Sequence, residues 1–487
     1  MSLGALLEVN AARCPQKIAV YCEDRQIDYA ELDRYTSRLA SWLIDWGLKP
    51  GDRLALHWPN GIETIQLYFA AFKAGLIAVP VNLRLKTPEI EFVLKHSGAR
   101  LCFSHSSVAP AAQQAAACPI LTDLPAPSTA TPLPEVRESD PAIILYTSGT
   151  TTRPRGAIHT HASLEATARV TASCFTIAGE EVVLLPMPLM HAAALNCGLL
   201  PSILLGATVI LIPVFNPASV LDAIERFRVT LLGTLPTLLQ FVVEEQAREP
   251  RDVSSLHWLI AGGDAVPLTL QTRAQQTLGP PVQELYGMSE SLPMTLNPRN
   301  AIRPGSIGVA VANIRIVDAQ GAVLPDGKVG EIVVQSPINC VGYWNDPEET
   351  SRLLRDGWLH TGDLGERDSD GYYWFRGRLK QIIVRGGSNI SPQEVEEMLY
   401  QHPAVREAGV VGRPDPTYGE VVVAFVALRT GMSVSESELQ KFGRQRLADY
   451  KVPEQLFFIP ELPKGITGKV QRRALLDLLP HEMKASS

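Results

Sequence analysis

Over its first 290 residues the chain alternates short β-branched runs with longer amphipathic ones, and this alternation limits the fold more than any other feature. "DRLALHW" reads as a strand and "IETIQLYFAAFKAG" as a helix ended by Gly75. "AIILYT", "EVVLLP", "ATVILIP" and "VTLLGT" read as strands, with "PASVLDAIERF" and "PTLLQFVVEEQ" as helices between or after them. "HWLIAGG" and "VQELYG" close the series. Strands that alternate with helices must be joined by crossover connections, so the sheets are expected to be largely parallel and the fold class α/β.

One stretch tests that reading. From Val182 to Leu221 there is no Asp, Glu, Lys or Arg. Pro186, Pro188, Pro201, Pro213 and Pro217 interrupt it, whereas a membrane span needs about 20 predominantly apolar residues in one helix. A buried strand–helix–strand is expected instead. Residues 300–376 differ again. "IRIVDA", "GEIVVQS" and "GYYWFRG" are strand-like runs joined by Gly- and Asp-rich turns, which predicts an antiparallel β section. Beyond about residue 380 helix and strand patterns mix. "SPQEVEEMLYQH" predicts a helix with Ser391 as N-cap, Pro392 at N1 and Glu394 at N3, a capping box. "GEVVVAFVAL" reads as a strand and "SESELQKFGRQRLADY" as a helix, and the Ala/Pro-rich stretch 108–134 as a surface connection. The boundary is placed at "GRLKQ", dividing the chain into 1–379 and 380–487.

A net charge of −7 gives no support for a nucleic-acid or anionic-membrane surface. Seven cysteines, none in C-x-x-C spacing, signal neither a zinc site nor a dithiol motif and suggest a reducing compartment. The N-terminus has no basic region ahead of an apolar core, so no signal peptide is read and a cytoplasmic location is expected.

"YTSGTTTRPRGAIHTH", residues 146–161, follows the "AIILY" strand. In α/β sheets ligands sit beyond the carboxyl ends of strands. Glycines let backbone N–H groups approach an anion, hydroxyls add donors and arginines add charge, so the stretch has the ingredients of a phosphate clamp. Taken alone it reads equally well as a polar surface loop. It is not a Walker loop, because the spacing of Gly149 and Gly156 is wrong and no Lys-Ser/Thr follows; no G-x-G-x-x-G occurs anywhere in the chain.

"LYGMSE" (285–290), "GWLHTGDLG" (357–365), "GRLKQIIVRGGSNISPQEVE" (377–396) and "PKGITGK" (463–469) follow in that order. With the loop, these five motifs closely resemble the series of the adenylate-forming superfamily, which contains acyl-CoA synthetases, adenylation domains and firefly-type luciferases. The resemblance covers nearly the whole chain. It implies a large N-terminal AMP-binding domain of two packed α/β subdomains plus a β-barrel-like section. A small mobile α+β C-terminal domain would follow, pivoting at Lys380.

The chemistry implied is activation of a carboxylate by ATP. Transfer of AMP to the acid gives an acyl-adenylate, and a thiol then displaces AMP. Such an enzyme needs no nucleophile of its own, only positioning and charge stabilisation, which fits the absence of a G-x-S-x-G elbow. By the resemblance, Thr147, Ser148, Gly149, Thr150 and Thr151, with Arg155, hold the ATP phosphates. Gly262, Gly263, Tyr286 and Gly287 lie about the nucleotide, with Tyr286 stacking near the adenine. Ser289 contacts the α-phosphate, Glu290 holds Mg²⁺, and Asp363 accepts from the ribose hydroxyls with Arg378 beside it. Lys469 bridges the attacking carboxylate and the α-phosphate, while Gly386 and Gly387 border the path of a pantetheine arm. Three positions depart from the usual pattern. Thr152 stands where Gly is usual, Arg155 where Lys is usual, and Gln381 where Asp or Glu is usual. Arg keeps the charge but changes its geometry, and Thr stiffens a backbone position.

His191 matches a position at the acyl pocket and thiol tunnel, and Ala192, Ala193, Ala194, Gly233, Ala261 and Met288 belong to the same pocket. So little bulk suits a hydrophobic acid, fatty or aryl. No Asp near His191 offers a partner for a substrate amine, which disfavours an amino acid. After Lys469 only 18 residues remain, with no carrier domain, so coenzyme A is the leading acceptor. A separate carrier protein, an amine or oxygen are the alternatives, as is a homologue that binds nucleotide or acyl-AMP but catalyses weakly. Partners are thus small molecules, and the chain is expected as monomer or homodimer.

Lys469→Ala is expected nearly to abolish acyl-adenylate formation and to leave thioester formation from supplied acyl-adenylate largely intact. Separate assay of the two half-reactions checks this, and equal loss of both would remove Lys469 from its assigned role.

Overall fold

The computed structural model describes residues 1–115, 117–127, 131–147, 154–175, 179–386, 388–465 and 470–479. Two large sheets carry most of the chain. In the larger, of 14 strands, Thr208–Leu211, Val182–Leu185, Leu231–Thr234, Trp258–Gly262 and Val282–Met288 lie side by side and parallel. The charge-free stretch therefore supplies two neighbouring buried strands with helix between them. No described helix is long and apolar enough to cross a membrane.

At Val282–Met288 the sheet changes character. Ser291–Leu296 folds back antiparallel on it, and Gly308–Ala310, Tyr372–Arg378, Trp358–Arg367, Gly330–Gln335 and Asn313–Val317 follow in order. The antiparallel section expected over 300–376 is present, and it is joined to the parallel sheet by continuous hydrogen bonding.

The second sheet has seven strands. Arg53–His57 is an interior strand, with Ile77–Pro80, Pro141–Thr147, Arg155–Thr160 and Gly342–Tyr343 on one side and Ala99–Ser104 and Ile120–Leu121 on the other. Residues 108–134, expected as a plain connection, contribute a helix, Ala109–Ala115, and that edge strand. Helix Ile62–Lys73 is buried at every position but Glu63. Even Lys73 is enclosed, its ammonium paired with Asp33. A helix apolar on all sides belongs inside a protein, and this one belongs to the main core together with residues of both sheets.

The small sheet is built wholly from residues beyond 382. Ser388–Ile390, Ile383–Arg385, Gly419–Leu428 and Val405–Asp415 are antiparallel neighbours, and Gln455–Phe458 adds a parallel edge. Helix Pro392–Tyr400 packs on it. Ser391 is the N-cap residue, but its side chain makes no capping hydrogen bond. The expected capping box does not form, because the Glu394 carboxylate accepts from Lys451 Nζ at 2.7 and 2.8 Å instead.

Gly308 begins the next strand of the antiparallel section, beside Ser291–Leu296. Its φ is +89°, and a Cβ there would lie 2.1 Å from the Leu296 carbonyl carbon and 2.2 Å from Asn297 N. Backbone cannot yield as a side-chain tip can. Gly308→Ala is expected to cost about 2 kcal/mol or more, seen as a lowered unfolding midpoint for the large domain.

Candidate active site

The parallel strands end together, and the site is assembled from their carboxyl ends. Gly233 and Thr234 lie opposite Ile260 and Ala261, and Ala261 and Gly262 lie opposite Glu284 and Leu285. His191, Ala192 and Ala193 follow Val182–Leu185, the neighbour of Leu231–Thr234, in a short helical turn that runs into a π-turn, Leu195–Leu199. Sheet register thus brings His191, Gly233, Ala261 and Gly262 to one end of one sheet, as a crevice site requires. A Cβ on Gly262 would stand 2.3 Å from Leu285 O, so only glycine lets these two strands close at that point.

Asp363 and Arg378 are cross-strand partners in the antiparallel section. Arg378 Nε lies 3.1 Å from Asp363 Oδ1, and Tyr286 donates its hydroxyl to Asp363 Oδ2 at 2.8 Å. The carboxylate is buried, while Arg378 remains partly exposed. Burial first, then the Asp363 charge, pushes the Tyr286 phenol far above its ordinary range, so it stays protonated and a donor. Tyr286 packs its ring against Phe375 and orients Asp363.

Glu290 is also buried. Tyr343 donates to its Oε1 at 2.7 Å, and Arg155 lies over the Tyr343 ring, with its guanidinium carbon 5.5 Å from the centroid. Burial raises the Glu290 carboxyl, opposed by Tyr343 and by the charges of Arg378 and Arg155. Arg155 Nη2 is held 2.5 Å from Glu349 Oε2. The preceding residue, Ser289, accepts at its carbonyl from His159 Nε2 at 2.8 Å. A carbonyl only accepts, so His159 carries its proton on Nε2. Burial lowers the ring to about 4, which keeps it neutral.

Thr147 ends one strand and Arg155 begins the next, and the two are paired across an antiparallel ladder. The hydroxylated loop therefore closes a hairpin rather than leading from strand to helix. Ser148, Gly149, Thr150, Thr151 and Thr152 lie outside the described residues, as do Gly387 and Lys469. Gly386, with φ +54°, donates its N–H to Tyr418 O. Lys380 lies in the one-turn helix Leu379–Gln381 directly after Arg378.

A cavity of about 840 Å³ lies between the large and small domains. Gly263, Tyr286, Gly287, Asp363 and Arg378 line one wall, and Lys464, Gly465 and Val470 belong to the other. Lys380 also borders it, whereas Glu290, His191 and Met288 do not. The residues that sequence reasoning missed, Tyr343, Glu349 and His159, are ordinary in pattern and gain their place only through tertiary pairing. Glu284 is a fourth. It is buried on Val282–Met288 and accepts from Val266 N at 3.3 Å and Gln271 Nε2 at 3.1 Å.

Residues 7–344 match the family model described as AMP-binding enzyme, and residues 394–469 match the AMP-binding enzyme C-terminal domain. The chain belongs to the AMP-binding enzyme family and is an adenylate-forming acid–thiol ligase. It is 38% identical to a feruloyl-CoA synthase from Amycolatopsis sp over 96% of this chain and 97% of that protein. A long-chain-fatty-acid–CoA ligase from Mycobacterium tuberculosis is 33% identical over 97% of this chain and 98% of its own. The solved structure of an anthranilate CoA ligase in complex with anthranoyl-AMP superposes with a TM-score of 0.92 at 27% identity, covering 98% of this chain and 97% of that one.

Burial pushes the Glu284 carboxyl from 4.5 up to about 8, with Glu397 and Asp264 adding to the rise and the Val266 and Gln271 donors opposing it. The folded protein thus keeps a proton that the unfolded chain loses above about pH 4.5, so this contribution to stability is full below that pH and is lost as pH rises through about 8. Glu284→Gln is expected to raise the unfolding midpoint over that of the parent near pH 8 and to change it little near pH 5, measured by thermal unfolding.

Proposed function

We propose that the protein activates a hydrophobic carboxylic acid with Mg·ATP through an acyl-adenylate and transfers the acyl group to coenzyme A. The observation that carries this is the gathering of Tyr286, Asp363 and Arg378 in one inter-domain cavity with Gly465 and Val470, the described residues on either side of Lys469. In the first half-reaction a carboxylate oxygen of the acid attacks the α-phosphorus and pyrophosphate leaves. In the second, the thiol of coenzyme A attacks the acyl carbonyl and AMP leaves, the thiol proton passing to solvent.

Asp363 would accept from the ribose hydroxyls, pre-aimed by Tyr286 and Arg378, so that no side chain need reorganise on binding. The hairpin from Thr147 to Arg155, with Ser148, Gly149, Thr150 and Thr151, would hold the phosphates, and Lys469 would offset charge on the α-phosphate. Mg²⁺ takes one or two carboxylates plus phosphate oxygens, and Glu290, with Oε1 fixed by Tyr343, suits that donor set. When bound, the ion would neutralise phosphate charge. Residues 1–379 would bind nucleotide and acid, and 380–487 would turn about Lys380, bringing Gly386 and Gly387 toward the thiol.

An aromatic acid is favoured over a plain alkyl one. The feruloyl-CoA synthase and the anthranilate CoA ligase support this. So does Asn196, which lies in the π-turn after His191, buried, with no partner for its Oδ1 among the described residues. A buried amide with spare hydrogen-bonding capacity favours a ring carrying a polar group over hydrocarbon alone.

Pyrophosphate release from Mg·ATP, measured over hydroxylated aryl, unsubstituted aryl, fatty and amino acids with and without coenzyme A, tests the reading. Release that requires an aryl acid and rises with coenzyme A is expected. Release insensitive to coenzyme A would assign the acyl group to a carrier protein or an amine, and preference for fatty acids would overturn the aryl assignment.

A further inference from the structure

Arg472 stands three residues beyond Lys469 and is paired with a buried carboxylate, Glu396. Its Nη2 lies 2.7 and 2.6 Å from the two oxygens of Glu396, a bidentate pair on helix Pro392–Tyr400. Its Nη1 donates at 3.3 Å to Oε1 of Gln381, the residue after Lys380. Glu396 also accepts from Val410 N at 2.8 Å, and its burial is nearly complete. One guanidinium therefore ties together the turn that leaves the large domain, the helix facing it and the segment that follows Lys469.

Across the cavity the large domain presents more negative charge. Asp264 is close enough to bear on Glu396, Arg472 and Tyr400, and Glu284 lies behind it under the influence of both Asp264 and Glu397. Glu397, the neighbour of Glu396, reaches the large domain directly and accepts from Leu268 N at 3.3 Å. Leu268 opens helix Leu268–Leu278, whose own N-cap, Pro267, has no side-chain capping bond. Glu396 and Glu397 of the small domain thus meet Asp264 of the large domain in a partly desolvated cleft, with Glu284 behind it holding its proton. Such an arrangement is unfavourable without a counter-charge. Arg472 is the cation bonded into the middle of it.

The superposition on the anthranoyl-AMP complex at 98% coverage means that both domains superpose together, so this is the domain arrangement of an adenylate-bound relative. We propose that Arg472 is a positioning residue for adenylate formation: it neutralises the carboxylates that meet across the cleft and anchors the turn after Lys380, and so holds the small domain in this orientation. The inference rests on the adenylation reading above. Gln381 adds to it. A carboxylate there would compete with Glu396 for the same guanidinium, whereas the neutral amide leaves the full charge of Arg472 for Glu396 and Asp264.

The test is Arg472→Gln, assayed by acid-dependent pyrophosphate exchange and, separately, by thioester formation from supplied aryl-adenylate. Exchange is expected to fall about tenfold or more while thioester formation stays within about threefold of the parent. Adding Asp264→Asn to Arg472→Gln removes the repulsion across the cleft and is expected to recover exchange several-fold, which a purely internal role in the small domain would not allow. Arg472→Lys is expected to keep most of the exchange activity. Should Arg472→Gln fail to fold, Asp264→Lys, made on the exposed face of the large domain, is expected to give the same split by opposing Arg472. Equal loss of both half-reactions without rescue, or unchanged exchange in Asp264→Lys, would overturn the inference. Absence of acid-dependent exchange in the parent would instead overturn the adenylation reading.

Discussion

The pairing of Asp363 with Arg378 across two antiparallel strands is the contact on which the rest of the site depends. It fixes a buried carboxylate where an exposed one would wander. It also places the last residue of that strand directly before the turn Leu379–Gln381 that leads to the small domain. Arg378, the ion-pair partner of the group assigned to the ribose, is therefore two residues from Lys380 in the chain. A nucleotide bonded to Asp363, as proposed, would act on the root of the joint through one ion pair and one peptide segment.

Burial sorts the polar groups into those that hold and those that respond. Tyr286 and Tyr343 are phenols whose burial keeps them protonated, and each donates to a carboxylate. His159, neutral in the core, fixes the carbonyl beside Glu290. None of these groups has to change its protonation state. The protein's contribution is a preset array of donors and charges, in keeping with a reaction whose difficulty lies in moving negative charge among phosphates.

Much of the fold was legible because the alternation of strand and helix follows simple periods. Arg53–His57, Ile62–Lys73, Val182–Leu185, Pro217–Phe227 and Pro236–Arg248 all lie where the patterns put them. The hairpin closed by Thr147 and Arg155 was not legible, since "RGAIHT" carries no strong strand period and its pairing is antiparallel in an otherwise crossover-rich region. The capping box at Ser391 failed because Lys451, 57 residues from Glu394, took the carboxylate the box required. Sheet register brought His191, Gly233 and Gly262 to one sheet end, and motif order pointed to Asp363 and Arg378. Tyr343, Glu349 and Arg472 had no such signal: each acts through a partner far away in sequence.

Glu397 lends its carboxylate to the N-terminus of a helix that belongs to the other domain. That helix has no side-chain cap of its own, so the proposed turn of the small domain about Lys380 would return the amide of Leu268 to water. Under that proposal the exchange of a single backbone hydrogen with solvent would serve as a clock hand for the catalytic cycle, slow while the domains face each other and fast once they part.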